Sequence, residues 1–148
     1  MNGTIRSVPR EERWNYLDLL LLADPDPAMI DRYLDRCEMH LLSVDGRPVS
    51  EVCLLPAEPG VVELKNVATA PGWEGRGCAS RLIRTLLGQC AGRYHTAIVG
   101  TADPQVGFYR RLGFEPYRVE EGFFLQYAEP VYENGVLLTD MIYLKQTI

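Results

Sequence analysis

The sequence predicts a mixed α/β domain built on a central, mostly antiparallel sheet with helices on both faces, in the order β-α-α-β-β-β-α-β-α-β-β. Three observations predict it. Segments such as "TIRSV" and "LTDMIYLKQ" alternate apolar and polar residues as half-buried strands do. A helical stripe runs through Ala79, Leu82, Ile83, Leu86, Leu87 and Cys90 at i, i+3, i+4 spacing. Several helices carry a proline at the start or a glycine at the end.

Taken in order, "TIRSV" is a first strand, and Pro9 opens a helix through "REERWNYLDLLLLA" with Ser7 as its cap. A second helix starts in "DPDPAMIDRYLDRC", where Asp26 caps, Pro27 takes the first helical position, and Met29, Ile30, Tyr33 and Leu34 share a face. "CEMHLLSV" and "VSEVCLLPAE" form a hairpin across "DGRP". "GVVELKNVAT" is the next strand and leads through a glycine-rich loop into the striped helix. "YHTAIVGT" is mostly apolar and reads as a strand buried on both faces. "DPQVGFYRRL" is a short helix capped by Asp103, begun by Pro104 and ended by Gly113. "FEPYRV" is a strand, "EEGFFLQYAEPVYENG" is irregular or partly helical, and "LTDMIYLKQ" is the last strand.

The 148 residues suit one domain with one sizeable core, here 1–148, and 47% hydrophobic with 24% charged residues is an ordinary globular balance. No apolar run approaches the ~20 residues of a membrane span, and the N-terminus lacks the apolar core of a signal peptide, so a cytoplasmic protein without membrane attachment is expected. A net charge of −5 argues against nucleic-acid binding. Cys37, Cys53, Cys78 and Cys90 form no C-x-x-C or zinc pattern, so no metal is expected and the thiols read as reduced, buried hydrophobes. His40 and His95 lie in strand contexts and read as packing or surface residues.

The chemistry concentrates at 67–83, "VATAPGWEGRGCASRLI". A dinucleotide fingerprint would need a third glycine where Ser80 stands; a P-loop would need Lys-Ser/Thr after Gly77. Glu74-Gly75-Arg76-Gly77-Cys78-Ala79 instead resembles the Gln/Arg-x-x-Gly-x-Gly/Ala loop of the GNAT family of N-acetyltransferases, with acidic Glu74 as the departure. The physics suits that role. Amides of the loop and first helical turn lack intrahelical partners and can hold a pyrophosphate, and Gly77 and Ala79 let the anion come close. Downstream, "VGFYRRLGFEPY" resembles the family's helix-then-strand element with a tyrosine shortly before Gly-Phe, here Tyr109 before Gly113-Phe114.

The resemblance is strong over roughly residues 60–118 and implies the GNAT fold, acetyl-CoA as co-substrate, and transfer of the acetyl group directly to a primary amine of a small molecule or peptide. It implies that Tyr109 protonates the leaving thiolate and that Glu63 takes the amine proton. It also implies that the backbone of Val67, Ala68 and Thr69 aligns the pantetheine arm while residues 74–79 hold the pyrophosphate. Asp103 and Thr101 stand nearest to where relatives keep an arm-binding asparagine. The residues by themselves leave other roles open: Tyr109 as a core aromatic, Glu63 as the ion-pair partner of Lys65, Arg76 as a surface charge, Asp103 as a cap. Asp24, Asp26, Asp31, Asp35 and Glu38 read as an attraction for a cationic acceptor or as a solvated face, and Phe123, Phe124, Tyr127, Tyr132 and Glu133 as a pocket wall or a sheet-edge cover. A non-catalytic acyl-CoA-binding or regulatory module on the same fold is the competing reading, and the sequence leaves a homodimer open.

Overall fold

A computed structural model describes residues 3–148. A seven-stranded sheet carries β1 (Gly3–Val8), β2 (Glu38–Val44), β3 (Arg47–Glu58), β4 (Val61–Thr69), β5 (Thr96–Thr101), β6 (Glu115–Glu120) and β9 (Met141–Thr147). Its spatial order is β1-β2-β3-β4-β5-β9-β6. Every pairing is antiparallel except β4 with β5. A separate two-strand ribbon, β7 (Tyr132–Glu133) and β8 (Val136–Leu137), lies inside the segment expected to be irregular.

The helices are α1 (Leu17–Leu20), α2 (Pro27–Asp31), α3 (Cys78–Cys90) and α4 (Val106–Arg111). On one face α3 buries Cys78, Leu82, Ile83, Leu86 and Cys90 against Val52, Leu54, Val62, Leu64, Ala97 and Val99. On the other, Leu19, Leu20, Ile30, Tyr33 and Leu34 pack on Val8, Met39, Leu41, Cys53, Leu55 and Ala68. The sheet thus separates two apolar layers, the arrangement the strand and helix order predicts.

Local chemistry explains most boundaries. Asp26 caps α2 by accepting the Ala28 amide at 2.9 Å, with Pro27 as the first helical residue. Asp45 and Gly46 both have positive φ, as the tight β2–β3 hairpin requires. Gly113, at φ 100°, ends α4.

Four expectations need correction. The first helix is not continuous: Arg10–Tyr16 is a 3-10 segment, and only Leu17–Leu20 is α-helical. Its polar start offers no apolar stripe to bury, and Arg13 instead ties it down by donating to the carbonyls of Val8 and Leu34. Ser7 lies within β1, and Pro9 precedes the 3-10 segment rather than opening a helix. β5 is buried on one face only, through Ala97 and Val99, because the α1–α2 layer covers no strand beyond β4. Asp103 caps nothing: it begins a 3-10 turn, Asp103–Gln105, whose preceding residue is Ala102.

Candidate active site

The sheet opens where β4 meets β5. Their parallel pairing runs only from Val61–Thr96 to Leu64–Val99, while β4 continues to Thr69 on β3 and β5 to Thr101 on β9. A bulge explains the parting. Cys53 opposes Asn66 and Leu54 opposes Leu64, so Lys65 is an extra residue in β4 at the point where pairing with β5 ends. A bulge bends and twists its strand. It also exchanges the strand's faces: Val62 and Leu64 enter the α3-side core, whereas Asn66 and Ala68 turn toward α1 and α2.

The gap is a cleft of about 1230 Å³ running from the α3 N-terminus to the α1–α2 connection. At one end lie Glu74, Gly75, Gly77, Cys78, Ala79 and Ser80. Gly75 and Gly77 have φ of 74° and 79°, and Gly77 is the residue preceding α3. The backbone therefore swings over the helix mouth in a left-handed conformation that a β-carbon would oppose. Cys78 is buried in the core beneath this end of the cleft. Arg76 stands outside the cleft lining, its guanidinium 4.8 Å from the Trp73 ring centroid. That stacking fixes the loop on its own core-packed tryptophan.

Val67, Ala68 and Thr69 line the middle of the cleft on the unpaired side of β4. Tyr109, from α4, lines the same cleft and is edge-on to Phe108 and Phe114 at 5.0 and 5.9 Å. Burial pushes its phenol well above the usual tyrosine range, with Glu51 adding to the shift, so it keeps its proton at neutral pH. Glu63 lines the same cleft with its side chain 13% exposed and Lys65 Nζ 3.9 Å from Oε2. Burial raises its pKa above the ordinary carboxylate value, Lys65 and Arg118 oppose that, and Glu120 adds to it. Thr101 belongs to the lining, whereas Asp103 is exposed and lies outside it. His40 and His95 are also outside.

At the far end lie Asp24 and the aromatic segment that the sequence offered as possible acceptor walls, joined by Asn66, which it did not single out, and by Tyr33, which it gave only as a helix-face residue. Asp24 is 8% exposed and accepts the Tyr33 hydroxyl on Oδ2 at 2.8 Å. Asn66 Nδ2 donates to the Tyr33 hydroxyl at 3.1 Å and to the Leu20 carbonyl at 3.2 Å. Asn66 had one legible signal: asparagine is unfavourable inside a strand unless something uses it. Phe123, Phe124 and Tyr127, from the 3-10 segment Phe123–Gln126 and the residue after it, close this end with mutual ring contacts of 5.1–6.2 Å. Tyr132 and Glu133 join the rim, and Glu133 accepts Gln105 Nε2 at 2.8 Å.

A split sheet with a glycine-built helix mouth at one end of the gap and a buried tyrosine in its lining defines the acyl-CoA transferase class of site. The comparisons identify the family. The model of the acetyltransferase (GNAT) domain matches residues 35–116. An uncharacterized N-acetyltransferase, YvbK of Bacillus subtilis, is 30% identical over 132 residues, 86% of this chain and 85% of that protein. A GNAT family acetyltransferase from Elizabethkingia anophelis, solved with acetyl-CoA bound, superposes with a TM-score of 0.92 at 31% identity, covering 99% of each chain. A Bacillus subtilis acetyltransferase solved in complex with CoA gives 0.85 at 27% identity, over 99% of this chain and 98% of that one. The chain belongs to the GNAT family of N-acetyltransferases and has its fold. Among the described residues, no helix is long and apolar enough to cross a membrane.

Proposed function

We propose that residues 1–148 act as one acetyl-CoA-dependent N-acetyltransferase domain that passes the acetyl group directly to a primary amine. The observation carrying this reading is that Glu63, the open edge of β4, Tyr109 and the α3 mouth share one continuous cleft. Acetyl-CoA bound in a relative's structure supports the same co-substrate here.

In this reading the amides of Gly75 to Ala79 hold the pyrophosphate, and Glu74 contributes backbone while its side chain turns to solvent. Val67, Ala68 and Thr69 offer strand hydrogen bonds to the pantetheine amides. Glu63, directly or through water, takes a proton from the acceptor ammonium, and its raised pKa brings it closer to that task. The amine nitrogen then attacks the thioester carbonyl carbon. The C–N bond forms, the C–S bond breaks, the sulfur takes the Tyr109 proton, and the nitrogen gives up its remaining extra proton, which restores the phenol. Much of the rate would come from holding the two reactants together. The buried thiols offer no covalent relay: Cys78 lies in the core, and burial pushes up the pKa of Cys90.

Coenzyme A release with primary amines tests the proposal. The wild type should turn over, and Tyr109→Phe should lower kcat about 10-fold or more with the KM for acetyl-CoA unchanged. Binding of acetyl-CoA without turnover on any amine would identify a non-catalytic module instead.

A further inference from the structure

The acceptor end of the cleft contains two buried side-chain oxygens with no hydrogen-bond donor, Asp24 Oδ1 and Asn66 Oδ1. Both residues are more than nine-tenths buried, at 8% and 3% exposure, and both line the cleft. The Tyr33 hydroxyl bridges them, donating to Asp24 Oδ2 and accepting from Asn66 Nδ2, so their remaining oxygens are held in place. Burial raises the pKa of Asp24, while the Tyr33 and Tyr127 hydroxyls and the Asp26 backbone favour its ionised form; the Tyr127 contact does not close into a hydrogen bond on Oδ1. Lys65 pulls on the same carboxyl from beside the Tyr33 ring, 5.4 Å from its centroid, while it pairs with Glu63. A buried acceptor without a donor is costly, and the cost is larger for a carboxylate.

What would satisfy this site must donate, and more than once. A hydroxyl offers one hydrogen; an ammonium offers three and a compensating charge. The walls suit a cation too, since Phe124 and Tyr127 stand on the same rim. Arg32 and Arg36 sit at the exposed mouth, and Arg36 is turned back onto the Arg32 carbonyl at 2.8 Å. We propose that Asp24 and Asn66 bind a second amino nitrogen of the acceptor, so that the enzyme selects diamines over monoamines of the same length. This inference rests on the acetyl-transfer reading of the cleft. Glu63 serves the nitrogen that reacts, and the Asp24 end holds the one that does not.

The test compares coenzyme A release with butylamine against 1,4-diaminobutane, and with pentylamine against 1,5-diaminopentane. The wild type should favour the diamine in kcat/KM by about 10-fold or more. Asp24→Asn, which keeps the shape of the side chain, should bring that ratio close to one, whereas a merely structural defect would lower both substrates together and leave the ratio intact. Equal use of monoamine and diamine by the wild type overturns the inference while leaving acetyl transfer standing, and needs no variant to fold. If no amine turns over, the transfer reading itself fails. Calorimetry with 1,4-diaminobutane then decides: binding that weakens about 10-fold in Asp24→Asn upholds the site, and no binding refutes it.

Discussion

Glu51 shows what a single residue can cost. It is fully buried on β3, accepts only the Cys53 thiol at 3.4 Å, and has a second oxygen with no partner. Burial raises its pKa well above the ordinary carboxylate value, so over a window above the unfolded pKa the folded protein holds a proton that the unfolded chain releases. The sign follows from the proton count. Between the unfolded pKa and the raised folded one the native state binds more protons, so stability falls as pH rises, by about 1.4 kcal/mol per pH unit for one group. Below the unfolded pKa the contribution is fully present. Glu51→Gln abolishes this slope, so the variant should gain on the wild type in urea melts as pH rises above the unfolded carboxylate value. Parallel pH profiles for the two proteins would mean that Glu51 is ionised in the fold.

At the scale of elements, α3 carries two glycines in opposite situations. Gly77 precedes the helix at φ 79°, with open space where a β-carbon would stand, so the conformation and not crowding is what an alanine would strain. Gly88 lies in the helix interior with ordinary backbone and equally open space. Gly77→Ala should lose about 1–2 kcal/mol, a fall of roughly 2–8 °C in Tm, and raise the KM for acetyl-CoA as the loop amides move. Gly88→Ala should gain about 0.5–1 kcal/mol and leave that KM alone. Thermal melts and steady-state kinetics on both separate a helix effect from a loop effect. The contrast also marks what sequence can carry. The α3 stripe, the Asp26 cap and the Asp45-Gly46 hairpin were legible because each depends on residues a few positions apart. The bulge at Lys65 was not. Val61–Thr69 alternates in burial without a break, and only the change of face partway along reveals the inserted residue. The Asp24–Tyr33–Asn66 contact was hidden for a related reason, since its members lie 9 to 42 residues apart and meet only after the sheet forms. Tyr109 and Glu63 could be named beforehand because the resemblance supplied them, and the fold then put both on one cleft.

The whole molecule is two apolar layers on one sheet, and the sheet is weakest at its centre. Four residue pairs join β4 to β5, whereas eight join β3 to β4 and six join β5 to β9. A ligand seated in the gap would bridge the halves that the bulge parts, so acetyl-CoA should stabilise the protein as a unit and not only its loop. Binding to the native state alone adds about 2.7 kcal/mol at a concentration 100 times Kd. For a chain of this size that is a rise of roughly 5–11 °C in Tm. Most of that affinity should reside in the pyrophosphate, because the first turn of a helix has amides without intrahelical partners and α3 brings the positive end of a 13-residue helix to the loop. S-acetylpantetheine fills the β4–β5 gap but lacks the anion, so at the same concentration it should raise Tm by far less than acetyl-CoA. Equal shifts from the two compounds would remove the pyrophosphate role from residues 74–79 and leave the strand edge as the whole of the cofactor site.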